Sequence, residues 1–375
     1  MSIPMVISLI ITKLVAKFGG TALPGLIGLS INHSLINQII KSNNLRSIII
    51  TGTNGKTTTA KLLSEVLDLT GIDYCRNQSG SNLLRGIATT LINQSNLLGK
   101  IKPKLAVWEV DEAVLPQAIK SLRPEIVVIT NLSRDQLDRY GEVDHLIKLW
   151  QTSFDTLPQS SWLIVNVADP RLRPLKHHHL KYFGNRRSRL GLKYPPQFYG
   201  KFNYDNLWAV EAVTRRLKLN PDLVPLAARS AQPAFGRGER FNLNGQNYQI
   251  NLVKNPASYK AVWQMILDRR HLNQPLMLLL NDLLADGTDV SWIWDVPFDR
   301  IKNRHEPIIV SGRRAADLAL RLKYAGFNSG KLIVDPSISQ AFSRFQSQAG
   351  LIKYILPTYT AMLELRRHLK KAPWN

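Results

Sequence analysis

A glycine-rich turn between an apolar strand and a helix constrains the fold of this chain more than any other segment. Residues 48–50 are a β-branched run, and residues 51–59 (TGTNGKTTT) follow it directly. Residues 60–67 then place apolar side chains at helical spacing. A strand, a glycine-rich turn and a helix form a phosphate-binding unit, because backbone N–H groups and the positive end of the helix converge on the anion.

The turn contains the residues that bind nucleotide phosphates and magnesium. Lys56 is placed to reach the β- and γ-phosphates, and the Thr57 hydroxyl can ligate Mg²⁺. The G-x-x-G-K-T spacing is shorter than the common P-loop pattern, which has four residues between its glycines. The alternative interpretation is a structural turn with a solvated lysine. The predicted nucleotide-binding residues of the turn are Gly52, Thr53, Asn54, Gly55, Lys56, Thr57 and Thr58.

A second strand supplies acidic residues close to this turn. Residues 105–112 (LAVWEVDE) are predicted to be a buried strand that ends in three carboxylates. The carboxyl end of a parallel strand lies on the ligand edge of an α/β sheet. Glu109 or Asp111 can therefore meet the Mg²⁺ held by Thr57, since Mg²⁺ prefers hard oxygen ligands. The alternative is that these are ordinary acidic residues at the end of a strand.

The order of strands and helices predicts an α/β chain in three parts. Residues 1–45 are predicted to be an N-terminal helical extension, and residues 46–230 a central ATP-binding domain with a parallel, doubly wound sheet. Residues 231–375 are predicted to form a smaller C-terminal α/β domain, which opens with a hairpin at Asn244-Gly245. Residues 171–200, where Arg and His accumulate, are predicted to be a basic loop or a reduced β element, with a metal site at the three consecutive histidines as the alternative.

Charge and cysteine content narrow the possible partners. The net charge of +22 favours binding to anionic partners, which include nucleotides, anionic lipids, nucleic acid and acidic proteins. The single cysteine, Cys75, excludes an internal disulfide framework and a cysteine-rich zinc site. The first residues predict an amphipathic helix that packs on the main domain or rests on a membrane surface. Its predicted apolar face is Ile3, Ile7, Ile10, Leu14 and Phe18.

These segments together make the chain similar to a known family. It resembles the Mur ligases, and within them the MurT subunits of lipid II isoglutaminyl synthase. The matching segments are GGTALPG (19–25), TGTNGKTTT (51–59), SGSNLLRGIA (79–88), WEVDEAVLP (108–116), TNLSRDQLDRYGEVD (130–144), KFNYDNLWA (201–209), PAFGRGER (233–240), KNPASY (254–259), LNDLLADGTDVSWIWDV (280–296), SGRRAADLALRLKYAG (311–326) and LPTYTAM (356–362). The segment 51–59 marks the wider family, and the segment 280–296 points to the MurT branch.

The resemblance implies an ATP- and Mg²⁺-dependent amidation in the cytoplasm. The α-carboxylate of D-glutamate in the lipid II stem peptide would be activated as an acyl phosphate, and ammonia would displace phosphate to give D-isoglutamine. The ammonia would come from a separate glutaminase subunit of the GatD type. Contact with the inner face of the cell membrane is left open.

The resemblance also implies roles for individual residues. Lys56 would hold phosphate, and Thr57 and Glu109 would bind Mg²⁺. A carboxylate that orients a histidine stabilises its charged form, and Asp289 is implied to do this for the Cys–His pair of the glutaminase. Asp286 and Asp295 are nearby alternatives. The remaining residues implied to border the nucleotide are Asn203, Asn206 and Arg237.

The chain departs from the family in one respect. Related subunits commonly insert a four-cysteine zinc ribbon, which one cysteine cannot form, so no zinc is expected.

Other functions are alternatives to the amidation that the resemblance implies. One alternative is a stand-alone amino-acid ligase of the Mur or folylpolyglutamate type. Another is a basic nucleotide-dependent protein that binds nucleic acid. No aromatic-interleaved RNA-binding motif or zinc finger supports it, so no nucleic-acid partner is expected. A third is a scaffold that has lost catalysis, against which the intact Lys56, Thr57 and Glu109 argue.

Overall fold

The chain divides into two compact units, each built on its own six-stranded sheet. The computed structural model describes residues 8–13, 22–77, 80–132, 143–184, 201–231, 236–268 and 271–369. The first unit takes in the described residues up to 231, apart from residue 201, and the second takes in those from 236 onwards. The predicted fold class, a parallel α/β sheet domain followed by a second α/β domain, is confirmed. The predicted limits of the N-terminal extension and of the two domains stay predictions.

The first sheet is entirely parallel, with the order β2-β3-β1-β4-β5-β6. Its inner strands are apolar along their whole length, as expected of strands that are covered on both faces. Ile50 pairs with Glu109 and Thr51 pairs with Ile129, so the carboxyl ends of β1, β3 and β4 lie side by side. The strands are β1 Arg46–Thr51, β2 Tyr74–Arg76, β3 Leu105–Glu109, β4 Ile126–Ile129, β5 Trp162–Asn166 and β6 Leu180–Phe183.

Helices of the first unit enclose this sheet around a core that includes Trp108 and Trp150. Trp108 is completely buried on β3, and its indole N–H donates to the Ser47 hydroxyl at 3.1 Å. Residues 8–13 form the helix α1. The further helices are α2 Leu23–Ile31, α3 Leu35–Asn43, α4 Lys56–Leu69, α5 Leu84–Gln94, α6 Leu115–Leu122, α7 Val143–Phe154, α8 Lys201–Arg216 and α9 Leu223–Ser230.

The described residues at the N-terminus form the helices α1 and α2. Helix α2 begins at Leu23 and has a proline in its first turn, where the missing N–H costs no hydrogen bond. The apolar face predicted for the first helix, expected to pack on the main domain or to rest on a membrane surface, includes Ile10, which is 43% exposed, while Leu9 and Thr12 are completely buried. The other members of that predicted face, Ile3, Ile7, Leu14 and Phe18, lie outside the described residues.

The second sheet has the order β11-β10-β9-β12-β8-β7, and its pairings are parallel except for β7 with β8. The predicted hairpin is confirmed, with Asn244 (φ 52°) and Gly245 (φ 77°) in the left-handed region that a tight hairpin turn requires. The strands are β7 Arg237–Leu243, β8 Gln246–Asn251, β9 Leu276–Leu279, β10 Ile308–Ser311, β11 Leu332–Asp335 and β12 Lys353–Pro357. The helices are α10 Pro256–Asp268, α11 Ala315–Tyr324, α12 Ile338–Gln346 and α13 Tyr359–His368.

Several predicted segments fall partly or wholly outside the described residues. Of the segment 171–200, which was expected to be a basic loop or a reduced β element, residues up to 184 are described, and they contain the strand β6. Residues 133–142, after β4, and residues 232–235, next to the predicted domain limit between 230 and 231, also lie outside the described residues. In the described part of the chain, no helix is long and apolar enough to cross a membrane.

Candidate nucleotide-binding site

The site begins where β1 ends in the glycine-rich turn. Gly52 and Gly55 have φ angles of +124° and +90°, which residues with a Cβ rarely adopt. A Cβ on Gly52 would lie 2.4 Å from the Thr130 hydroxyl oxygen, and one on Gly55 would lie 2.3 Å from Asn206 Oδ1. Both glycines are therefore required by backbone conformation and by space. The turn leads directly into α4, whose first residue is Lys56.

The turn is held in place by the residues that follow β4. The Thr53 N–H donates to the Asn131 carbonyl at 2.9 Å, and the Asn54 N–H donates to Asn131 Oδ1 at 3.0 Å. In return, Thr130 Oγ1 donates to the Asn54 carbonyl at 2.6 Å, and Asn131 Nδ2 donates to the same oxygen at 2.8 Å. The turn is thus fixed against a neighbouring strand, which preorganises it for an anion at the N-terminus of α4.

Lys56 is buried and paired with an acidic residue that the sequence analysis did not select. Its ammonium donates to Glu112 Oε2 at 2.8 Å and to the Gly52 carbonyl at 2.5 Å. Lys56 is 8% exposed and Glu112 is 4% exposed, so water screens this ion pair little. The Glu112 carbonyl also accepts from the indole N–H of Trp150 at 3.0 Å. Glu112 was visible in the sequence only as the last of three acids after β3.

Thr57 and Glu109, the two residues predicted to bind magnesium, are in hydrogen-bond contact. Thr57 Oγ1 donates to Glu109 Oε2 at 2.8 Å. Glu109 is 2% exposed, and its other oxygen, Oε1, is buried and has no hydrogen-bond partner in the part of the chain that the structure describes. Asn77 holds the backbone of Glu109 through two hydrogen bonds. Asn77 Nδ2 donates to the Glu109 carbonyl, and Asn77 Oδ1 accepts from the Glu109 N–H. A buried carboxylate oxygen without a partner, next to a hydroxyl, fits the hard-oxygen ligands of Mg²⁺.

The other acid considered for the metal, Asp111, is used differently. Its Oδ1 accepts from the backbone N–H of Ala113 at 3.3 Å, and Asn82 Nδ2 lies 3.5 Å from its Oδ2. Among the described residues, no group of three or more His, Cys, Asp or Glu side chains could hold a metal ion. A site built from one hydroxyl and one carboxylate suits Mg²⁺, which usually completes its shell with water and substrate phosphate.

Two asparagines that were expected beside the nucleotide base lie on α8. Asn206 is buried, and its Oδ1 accepts from the Thr59 hydroxyl at 3.3 Å. The same oxygen faces Gly55, so Asn206 packs directly on the phosphate-binding turn. Asn203 lies one turn earlier on the same face of the helix. Arg237, the third residue expected at the nucleotide, is the first residue of β7 in the second unit.

The second unit holds the three acids considered for the partner's glutaminase site. Asp289 is partly exposed, and its two oxygens accept from the backbone N–H of Ser291 at 2.7 Å and from the Ser291 hydroxyl at 3.0 Å. Asp286 is buried, and both its oxygens accept from Thr360, one from the backbone N–H at 2.8 Å and one from the hydroxyl. Burial raises the pKa of Asp286, and the hydrogen bonds from Thr360 oppose this effect. Asp295 is exposed at the end of a short 3₁₀ helix.

The fold and this site define the class of protein. Residues 50–189 match the family model of the Mur ligase middle domain, and residues 252–362 match that of the MurT ligase C-terminal domain. The two matches together cover about two thirds of the chain. The chain therefore belongs to the Mur ligase family. Within that family its C-terminal domain is of the MurT type, which confirms the resemblance drawn from the sequence.

Curated relatives and solved structures agree with this assignment. The chain is 28% identical to the MurT subunit of lipid II isoglutaminyl synthase (glutamine-hydrolyzing) from Streptococcus pneumoniae, over 93% of this chain and 92% of that protein. It is also 28% identical to the MurT subunit from Staphylococcus aureus (strain COL), over 94% of this chain and 93% of that protein. The fold matches MurF of Thermotoga maritima in complex with ADP, with a TM-score of 0.71, 12% identity, and coverage of 92% of this chain and 84% of that one.

Proposed function

We propose that this chain is the ligase subunit of a lipid II isoglutaminyl synthase. It amidates the α-carboxylate of D-glutamate in the lipid II stem peptide, with ATP as the energy source and ammonia from a GatD-type glutaminase subunit. The observation that carries this proposal is the match to MurT subunits along 93% of the chain, which includes the MurT-type C-terminal domain. We place the protein in the cytoplasm, where ATP and the soluble part of lipid II are both accessible.

The residues of the first unit fit the first half of this reaction. A carboxylate is a poor electrophile, so one of its oxygens attacks the γ-phosphorus of ATP, and ADP leaves with the electron pair of the broken P–O bond. Such a transfer mainly needs positioning and neutralisation of charge. The Lys56 ammonium and the N–H groups at the start of α4 supply both on the protein side. Thr57 and Glu109 would hold Mg²⁺, which when bound neutralises phosphate charge.

The second half of the reaction consumes ammonia. The nitrogen attacks the carbonyl carbon of the acyl phosphate, inorganic phosphate leaves, and a proton is lost to give the amide. Ammonia would be released from glutamine by the partner's Cys–His pair, with Asp289 completing that pair. The Asp289 carboxylate is already oriented by Ser291 and is partly exposed, whereas Asp286 is committed to Thr360. This favours Asp289 over Asp286 for contact with a partner.

Amide formation with the purified complex tests the ligase role. We would co-express the chain with its glutaminase and follow conversion of D-glutamate to D-isoglutamine in lipid II by mass spectrometry, with and without ATP. Lys56→Ala should lower the rate by about a hundredfold or more, since it removes the main charge that meets the phosphates. The matched control is Lys61→Ala, in the same helix but beyond the turn, which should retain the rate. Amidation that persists in Lys56→Ala, or incorporation of an amino acid in place of ammonia, would contradict the proposal.

The nitrogen source separates the role of Asp289 from the ligase chemistry. Asp289→Asn should abolish amidation with glutamine and leave amidation with added ammonium salts intact, because only the glutaminase step needs the carboxylate. Asp295→Asn, which removes an exposed acid from the same segment, is the control and should support both nitrogen sources. Equal loss with glutamine and with ammonium would show that Asp289 instead acts in the ligase or in folding.

A further inference from the structure

The two N-terminal helices α1 and α2 leave several large apolar side chains exposed. Small or hydroxylated residues occupy many of their inward positions: Ser8 and Thr12 in α1 are completely buried beside Leu9, and the buried residues of α2 are Pro24, Gly25 and Gly28. Other large apolar side chains point outwards. The exposed ones are Ile10 (43%), Ile11 (39%), Leu23 (46%), Leu26 (51%) and Ile31 (39%).

Contacts between the helices explain why the small residues face inwards. The Ser8 hydroxyl donates to the Gly28 carbonyl at 3.2 Å, and the Gly25 N–H donates to the Thr89 hydroxyl oxygen of α5 at 2.9 Å. A Cβ on Gly25 would lie 1.8 Å from the Arg85 carbonyl oxygen, so α2 approaches α5 as closely as a backbone can. The small residues of α2 therefore serve its packing on α5, while Leu23 and Leu26 of the same helix remain exposed.

The two helices carry little charge, and none of it is negative. Among the described residues of α1 and α2, Lys13 is the one charged residue, and α2 carries none. An apolar surface on helices without an acidic residue, in a chain of net charge +22, complements a bilayer whose head groups are anionic.

We propose that the outer faces of α1 and α2, defined by Ile10, Ile11, Leu23, Leu26 and Ile31, dock on the surface of an anionic phospholipid bilayer. The leucines and isoleucines enter the boundary between head groups and acyl chains, and Lys13 meets a lipid phosphate. Helix α2 has only nine residues, too few to cross the membrane, so it would lie on the membrane surface. The proposal goes beyond the catalytic function, because docking needs neither ATP nor lipid II.

Flotation with phospholipid vesicles tests this surface directly. The full chain, in complex with its glutaminase, would be mixed with vesicles of equal parts phosphatidylglycerol and phosphatidylcholine, or with phosphatidylcholine alone. We expect binding to the anionic vesicles, weaker binding at high salt, and little binding to the neutral ones. The double variant Leu23→Gln/Leu26→Gln should weaken binding at least about tenfold, because each leucine buries several methylene groups in the bilayer. The pair Ile10→Gln/Ile11→Gln on the other helix should do the same.

The chain offers a matched control for these variants. Leu69 and Leu226 lie on other helices of the same unit and are exposed to the same degree, 49% and 50%. Leu69→Gln/Leu226→Gln should bind the vesicles as the parent does. Failure of the parent to float, or equal flotation of the parent and the Leu23/Leu26 variant, would overturn the proposal. A change of oligomeric state in the Leu23/Leu26 variant without any vesicle binding by the parent would assign the surface to a protein contact instead. Because no outcome depends on amidation, failure here leaves the proposed function untouched.

Discussion

The buried ion pair between Lys56 and Glu112 predicts how Glu112→Gln changes stability. At an effective dielectric constant of about 20, the attraction across the 2.8 Å between Lys56 Nζ and Glu112 Oε2 is about 6 kcal/mol. Glutamine keeps one acceptor oxygen, and the Gly52 carbonyl stays in place. We therefore expect the free energy of unfolding to fall by about 3 kcal/mol, the lower end of the range for breaking a buried ion pair.

Nucleotide should partly reverse this loss. Phosphate oxygens can supply the negative charge that Lys56 lacks in the variant, so ADP or ATP should stabilise Glu112→Gln more than it stabilises the parent. Thermal unfolding of both proteins, with and without saturating nucleotide and Mg²⁺, measures the two effects. Without nucleotide, we expect the unfolding midpoint of Glu112→Gln to lie roughly 5 to 10 °C below that of the parent. With nucleotide, we expect this difference between variant and parent to become smaller.

A second glutamate provides the control for this prediction. Glu125 also forms an ion pair, with Arg46 at 2.6 Å, but the Arg46 side chain is 53% exposed. Exposed pairs contribute about 1 kcal/mol or less, so Glu125→Gln should change the midpoint little. Two results would refute the reasoning. One is that Glu112→Gln and Glu125→Gln lose the same stability, and the other is that nucleotide raises the midpoint of Glu112→Gln no more than that of the parent.

Three further predictions concern other described residues. Gly55→Ala should weaken ADP binding measured by titration calorimetry, because the added Cβ would lie 2.3 Å from Asn206 Oδ1. The control is Gly71→Ala, which has a similar positive φ but open space around it and should bind ADP normally. Burial raises the pKa of the Cys75 thiol to about 12, so iodoacetamide at mildly alkaline pH should modify it only after unfolding in urea, as mass spectrometry would show. Burial also raises the pKa of Asp286 above its ordinary value of 3.8, so the native state holds that proton more tightly than the unfolded chain. The stabilisation that Asp286 contributes is therefore present below pH 3.8 and is lost as the pH rises through its pKa in the folded state. The free energy of unfolding, measured by denaturant titration over this pH range, should show this decline in the parent and lack it in Asp286→Asn.

Local chemistry explains which elements could be predicted from the sequence. The segment 48–59 combines an apolar run, two glycines and a helix former, and each of these acts within a few residues. The hairpin at Asn244-Gly245 was equally predictable, because a two-residue turn needs positive φ angles that few residues other than Asn and Gly adopt. Both features depend on the backbone preferences of their own residues and little on the rest of the chain.

The elements that the sequence analysis missed depend on distant contacts. It assigned neither α12 nor β12, and Lys353 shows why the strand was hard to recognise. This lysine is completely buried in β12, because its ammonium donates to the Gln346 carbonyl at 2.6 Å and to the Phe345 carbonyl at 3.3 Å. These are the last carbonyls of α12, which a cation stabilises. A lysine in an apolar run suggests an exposed position until the helix that satisfies it has been placed.

The same limit applies to the three acids at the end of β3 and just beyond it. The sequence shows Glu109, Asp111 and Glu112 as a single acidic cluster at a strand end, and nothing local distinguishes their roles. The strand register distinguishes them, because Ile50 pairs with Glu109 and this pairing brings the Glu109 carboxylate to Thr57 at the start of α4. Glu112 lies beyond the strand, where the chain turns, and it meets Lys56 instead. One acid therefore retains a buried oxygen suited to a metal, and another holds the lysine in place before any phosphate arrives.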